Sequence, residues 1–449
     1  MFYLNKDTEL TTELLQKMIN HFRINVEPKL TKYKNYYDGL QAILRKEYAD
    51  TSKPCNRTVI NYCKNIVDSY CGYLATPGHI SYRSNDDIEE IMEVLKYNDY
   101  QDEDSDFLLD ALIYGVAAEL MYIDNDSHTR FKLINPTSCF GVFDDSLSGD
   151  LMYFVRMYKA NEWNNSDIYN VDVYTDTSIK HYKMNGLNGF LLAAGDVPEE
   201  PHYFSQCPAN IFMLPDEKSI FDCVMSIQDS FNEMLSAEVD DFQAFCDAYL
   251  TLTGVDAEVN DIAAMKENRV LLLPEGAVAA WLTKNANDGQ VENILKRLHD
   301  SIYRTAACPD FSSESFVSGV SSGIAIQYRL TGMETRAGKI EAKMKKALQR
   351  RIEIISGIAT LKLGEEVFRD IEIDFKRNIP VDTNATIQII NSLKGIVSDA
   401  TLLSQLDFIA DVNAELEAVQ QQKLHNMELY SFGSSEEEPE EETEEDEAV

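Results

Sequence analysis

Through most of this chain apolar residues recur at i, i+3, i+4 and i+7, the spacing of amphipathic helices. Residues 8–50 show it at Leu14, Leu15, Met18, Ile19 and Phe22, running on into a basic, tyrosine-rich stretch. Pro54 is placed to open a second helix, through Val59, Ile60, Cys63, Ile66, Val67 and Tyr70, which Thr76-Pro77-Gly78 stops. Helices follow at about 86–97 and 103–118. From 119 to about 205 the period falls to two, in runs such as Leu120–Ile123, Phe131–Ile134, Leu151–Tyr158, Tyr169–Tyr174 and Ile179–Tyr182. Short β-rich runs between Asp, Asn, Gly and Ser turns predict a twisted antiparallel sheet.

The helical period then returns at length. Residues 216–250 carry Ile220, Val224, Ile227, Phe231, Leu235 and Val239 on one stripe and many acids elsewhere, including Asp222, Asp229, Glu233, Glu238, Asp240 and Asp241. A small α/β insert at 255–288 holds the apolar strand Val270, Leu271, Leu272 and Leu273, and then Trp281. Helices at 289–307 and 324–358 flank a Ser/Gly-rich, nearly uncharged loop, and the second of them is rich in base at Arg336, Lys339, Lys343, Lys345, Lys346, Arg350 and Arg351. A strand at 371–377 and helices near 384–395 and 411–425 precede a Glu-rich end that cannot bury a core and is expected to be disordered.

Composition narrows the class. At 449 residues the chain can build two or three packed units, and 44% hydrophobic content excludes a disordered protein. No run approaches the length of a membrane span and the first residues do not read as a signal peptide, so the expectation is a soluble protein made in a cytoplasm. The eight cysteines form no Cys-x-x-Cys and read as reduced core thiols. Net charge is −36, of which residues 436–449 supply ten acids, leaving −26 for the rest. Proteins that grip nucleic acid use basic faces to neutralise phosphates, so an acidic chain either avoids DNA or lets it slide past.

Candidate chemistry is sparse. Gly319-Val-Ser321-Ser-Gly323 matches the nucleophile elbow of serine hydrolases, but no apolar strand enters it and the one later histidine is His425. A serine hydrolase is therefore the remote alternative. Asp124-Asn-Asp126-Ser-His128 begins like a calcium loop but has Thr129 where glycine belongs and Asn135 where glutamate belongs, so it reads as a hairpin turn. Asp144-Asp145 and Asp240-Asp241 could seed a two-metal site only if other carboxylates converged on them; solvated faces are the simpler reading. With no nucleotide-binding glycine motif either, no catalytic residue, cofactor or metal is expected.

An ordered set of short motifs resembles the portal proteins of tailed double-stranded DNA phages of the siphophage type. The pieces are Tyr36-Tyr37-Asp38-Gly39; Asn56-Arg57; Lys64-Asn-Ile-Val-Asp68 with Gly72-Tyr73; Asp229–Ser236; Pro309-Asp310-Phe311-Ser312 with Leu330-Thr-Gly-Met-Glu334; Phe375-Lys-Arg377-Asn378-Ile-Pro380; and Ser398-Asp-Ala-Thr401-Leu402. Ala75-Thr76-Pro77 departs from the Gly-Lys-Pro usual there.

The resemblance implies an α+β, mainly helical portal fold without enzymatic activity. Its parts would be a β-rich wing (1–215), stem helices (216–253 and 289–308), a small clip (254–288), a tunnel loop (309–323), a long wing helix and returning strand (324–379), a helical crown (380–430) and the acidic tail (431–449). It further implies a ring, typically of twelve copies, at one capsid vertex of the virion, through which DNA passes without sequence specificity during packaging and ejection. The implied partners are terminase, a head-completion adaptor, and the capsid and scaffolding proteins. Ser318, Gly319, Ser321, Ser322 and Gly323 would face DNA, and Val270, Leu271, Leu272, Leu273 and Trp281 would bind partners. The acidic helix 216–250 and the basic helix 324–352 could pair between copies. A non-portal phage head or adaptor protein is the nearer alternative.

Overall fold

The computed structural model describes residues 2–48, 54–159, 168–186, 191–193, 199–246, 249–253, 276–282, 288–312, 323–357, 370–378, 383–403, 406, 415–416 and 418–423. The chain divides into two units, 1–378 and 379–449.

In the first unit β1 (Phe2–Leu4) precedes α1 (Thr12–His21), which Thr11 caps by accepting from the Leu14 amide. The helix runs into a π-helical turn, Phe22–Val26, where the Glu27 amide reaches back to the Phe22 carbonyl, and continues as α2 (Glu27–Tyr37). Residues 54–61, expected to begin a helix, are extended instead, and α3 starts only at Tyr62 (Tyr62–Leu74), capped by Asn61. The reason is tertiary, because side chains of a distant helix take up the amides of this segment. After β2 (Ile80–Arg83) come α4 (Glu89–Tyr97) and α5 (Tyr100–Tyr114).

The β-rich stretch makes two sheets rather than one. Strands β3 (Val116–Ile123) and β4 (Thr129–Ile134) join β11 (Ala209–Met213) in a three-stranded sheet. The larger sheet holds β5 (Cys139–Asp144), β6 (Leu151–Lys159), β7 (Ile168–Tyr174), β8 (Ser178–Asn185), β9 (Leu191–Ala193) and β10 (Glu199–Pro201). Its partners are antiparallel except that β1 adds to β5 in parallel, a pairing three residues long that no local pattern announces.

The acidic helical pattern 216–250 also breaks up. Pro215 and the left-handed backbone of Asp216 and Glu217 stop a helix from starting there. Helix α6 spans Met225–Cys246, and Tyr249–Thr253 is strand β12, as its Thr/Leu alternation favours. Strand β13 (Val278–Leu282) pairs antiparallel with β12, Leu250 opposite Trp281, and leads into α7 (Asp288–Ala306). Helix α8 (Gly323–Ser356) buries Leu330, Met333, Ala337, Ile340, Met344, Leu348 and Ile352, one stripe at three- and four-residue spacing. Strand β14 (Glu372–Phe375) closes on β2.

In the second unit α9 (Thr383–Leu393) and α10 (Asp399–Leu403) are joined by a turn at Gly395, whose φ of +85° favours glycine. Ser398 of the Ser-x-x-Thr-Leu motif accepts from the Thr401 amide, which makes it the cap of α10. Residues 415–416 and 418–423 are helical.

Candidate functional site: the base of the helical hairpin

Helices α6 and α7, with the β12–β13 ribbon at their far end, form a hairpin rooted in the first unit. Its root is a framework of polar contacts built from the short motifs. Along one face of α6 stand Gln228, Asn232, Ser236 and Asp240, each four residues from the last and all buried. Gln228 accepts from the Tyr62 amide (3.2 Å) and donates to the Ile60 carbonyl (2.6 Å). Asn232 accepts from the Ile60 amide (3.1 Å), Ser236 from the Thr58 amide (3.0 Å) and Asp240 from the Asn56 amide (2.6 Å). The match is metric. Four helical residues rise about 6.0 Å and two extended residues about 6.6 Å, so an i, i+4 stripe can serve every second amide of an antiparallel strap.

Tyrosines of the basic segment take acids of α6 and of the turn that leads into it. Tyr33 donates to Asp222 (2.6 Å), Tyr36 to both oxygens of Asp229 (2.8 Å) and Tyr48 to Asp240 (3.1 Å). Burial of Asp240 alone would raise its pKa, but the Asn56 amide and side chain, the Tyr48 hydroxyl and the Lys46 charge outweigh that and lower it. Burial and then the Asp229 carboxylate raise the pKa of Tyr36 well above the ordinary phenol range. These acids are therefore engaged within their own chain, where sequence reasoning had them free to meet a neighbouring copy. The signal available was the stripe itself, because Asn, Ser and Asp are poor helix formers whose short side chains bond backbone groups.

A second framework ties the end of α7, where the loop region begins, to helix α8. Tyr70 donates to the Ala306 and Ala307 carbonyls (3.1 and 3.0 Å), and Arg336 of α8 donates to Ala306 (2.9 Å) and to Ile220 (2.7 Å). A guanidinium on the last carbonyls of α7 satisfies groups the helix leaves unpaired and complements its dipole. Asp310 then accepts from the Ser312 amide (3.0 Å), and 312 is the last described residue before Gly323, which begins α8. Further along α8, Glu334 accepts from Tyr73 (2.5 Å) and from Arg377, which also reaches Glu341 (2.6 Å). The Asn378 amide meets the Tyr73 carbonyl (3.2 Å). Gly72-Tyr73, Leu-x-Gly-Met-Glu334 and Phe-x-Arg377-Asn378, with 261 residues from Tyr73 to Glu334 and 43 from Glu334 to Arg377, are thus one cluster.

At the centre of the first unit Arg351 is fully buried between Glu119 and Asp104, its guanidinium 4.4 Å from the Phe131 ring centroid. Asn210 donates to Glu119 (2.6 Å) and to the Ala347 carbonyl (2.8 Å), and Tyr82 donates to Asp104 (2.7 Å). Arg351 and Arg336, both read as candidates for contact between copies, are committed inside the chain.

Of the loop residues expected to face DNA, Ser318, Gly319, Ser321 and Ser322 lie outside the described residues, as do Val270, Leu271, Leu272, Leu273 and His425; Gly323 is the first residue of α8 and Trp281 lies on β13. The Asp124–His128 segment is a hairpin turn, with the Asp124 carboxylate taken by the amides of Asp126 and His128. Asp144 is likewise consumed by its own turn. Among the described residues no three His, Cys, Asp or Glu side chains converge as a metal site would require, and no helix there is long and apolar enough to cross a membrane.

Apart from Ser398-x-x-Thr401-Leu402, which caps α10, the recognisable motifs serve to root a long helical hairpin and to tie the chain entering the Ser/Gly-rich loop to helix α8, which is the makeup of a structural protein. The family model for phage portal proteins of the SPP1 Gp6-like type matches residues 17–428, and the chain belongs to that family. The portal protein of Bacillus phage SPP1 is 21% identical to it, over 92% of this chain and 87% of that protein.

Proposed function

We propose that this protein is the portal subunit of a phage capsid and assembles as a homo-oligomeric ring, of about twelve copies in the family's manner, around a DNA channel. The observation that carries the reading is family membership across 17–428. The hairpin supports it. Val224, Phe231 and Ile302 near its root are buried, whereas Leu235, Val239, Val291, Ile294, Leu295 and Leu298 further out are only half-covered in one chain. Apolar stripes left half-covered on both helices are what neighbouring hairpins in a ring would complete.

In this reading the β12–β13 ribbon belongs to the clip, where terminase docks during packaging and an adaptor afterwards, with Trp281 as an anchor. The segment 309–323 is the tunnel loop, and capsid and scaffolding proteins surround the wing. The charge of −36 favours free passage of DNA, since 76 acids outnumber 40 bases and an acidic surface repels phosphates. The test is packaging by rings carrying lysine at Ser318, Ser321 and Ser322. Ring formation should persist while packaging slows or stalls; packaging at the normal rate would remove this loop from the path of the duplex. Trp281→Ala rings should lose terminase or adaptor binding, and unchanged binding of both would take the anchor away.

A further inference from the structure

Two features of the first unit fit each other but cannot meet within one chain. The β5–β6 turn ends in Leu147, fully exposed at its tip. The turn is held rigid beneath it, because Asp144 accepts from the Ser146 hydroxyl (2.8 Å), the Ser146 amide (3.3 Å), the Asp150 amide (3.1 Å) and the Ser148 hydroxyl (3.4 Å). A leucine presented on an ordered tip loses little freedom when a partner covers it.

The other feature is a cavity of about 670 Å³ floored by Phe22, Phe140, Phe154, Ile211 and Met213. On one side it is bounded by the π-helical turn Phe22–Val26, and on another by Asp216 and Glu217, consecutive non-glycine residues with φ of +70° and +49°. Both are costly local geometries of the kind that persists at functional sites. Lys29, Lys343, Asp216 and Glu217 are the charged residues of its lining. The exposed tip is acidic, with Asp145 and Asp150 flanking the leucine.

Phe140, at the start of β5, borders the cavity, and Asp144, at the other end of that strand, carries the turn. Four residues of extended strand hold them roughly 13 Å apart, so a chain cannot put its own tip into its own cavity. We infer that Leu147 of one copy seats in this cavity of the next copy, with Asp145 and Asp150 turned toward Lys29 and Lys343 and away from Asp216 and Glu217. Tip and cavity are different patches, so the contact is head-to-tail and repeats around a closed ring. The inference rests on the ring reading and adds the residues of one interface to it.

The experiment uses the full chain. Leu147→Cys combined with Asn25→Cys, at the cavity rim, should give a ladder of covalent oligomers with a short bis-maleimide, while each single variant should give the background of the native thiols. Leu147→Asp should lower the fraction assembled at a fixed concentration by about tenfold or more. Leu147→Met should assemble as the parent does. Because Leu147 is exposed, an unchanged circular dichroism spectrum is expected for each. Parent rings with a Leu147→Asp variant that assembles equally well, and no ladder from the double cysteine, would overturn this contact and leave the ring standing. A parent chain that forms no oligomer would overturn both.

Discussion

Helices α6 and α8 are both long, both amphipathic and opposite in charge, yet they bury polarity in different ways. The polar stripe of α6 faces an extended strap and is mostly neutral: amide and hydroxyl groups paired with backbone groups, and one carboxylate at the end. Helix α8 instead sends a whole guanidinium into the core between two carboxylates. A neutral ladder fails one rung at a time, because each bond is worth about 0.5–1.5 kcal/mol and an orphaned partner costs about 1–3 kcal/mol. A buried ion cluster fails all at once, because removing one charge strands the others away from water.

The largest expected effect is accordingly at Arg351. Arg351→Met leaves Glu119 and Asp104 buried without a counter-charge and should cost about 3–5 kcal/mol, read from the midpoint of urea unfolding. A loss below about 1 kcal/mol would erase the contrast between the helices. Asn232→Ala comes next. It leaves the Ile60 amide without its acceptor and Gln41 Oε1 without its Asn232 donor and should cost about 2 kcal/mol, with faster hydrogen exchange confined to residues 56–62. Exchange that quickens throughout the first unit would show that the ladder is one cooperative block.

Asp110 sharpens the comparison from the other direction, as a carboxyl that ion-pairs with no cation among the described residues. Burial, and then the charge of Asp106, raise its pKa to about 6, against a smaller opposing effect of Lys34. Its folded value lies above its unfolded one, so the fold holds the proton more tightly and loses stability as pH rises from about 4 through about 6. Asp110→Asn removes that loss and should add about 2 kcal/mol at pH 7, flattening the stability profile between pH 4 and 6. An unchanged profile would mean the carboxyl reaches water.

Helix positions and the buried stripe of α8 were legible in the sequence because periodicity reports burial directly. The ordered motifs were legible too, as a family resemblance, but not what they do: Tyr73, Glu334 and Arg377 meet through tertiary contacts that no local pattern encodes. Residues 54–61 carry helix-spaced apolar residues and are extended because Gln228, Asn232, Ser236 and Asp240 offer their amides better partners than a helix would. Charge misled for the same reason. Acids on α6 and bases on α8 invited a pairing between copies, yet Asp229 and Asp240 of the one and Arg336 and Arg351 of the other find partners inside the chain. The loop at 313–322 and the segment 254–275 lie outside the described residues, so the assignment of DNA-facing and partner-facing side chains rests on the resemblance alone.

The account turns on the half-covered outer part of the α6–α7 hairpin being completed by further copies of the same chain. Native mass measurement of the purified full-length protein tests this most directly. The account predicts a closed assembly with a mass near twelve times 51.0 kDa. A stable monomer at every salt and protein concentration would contradict it.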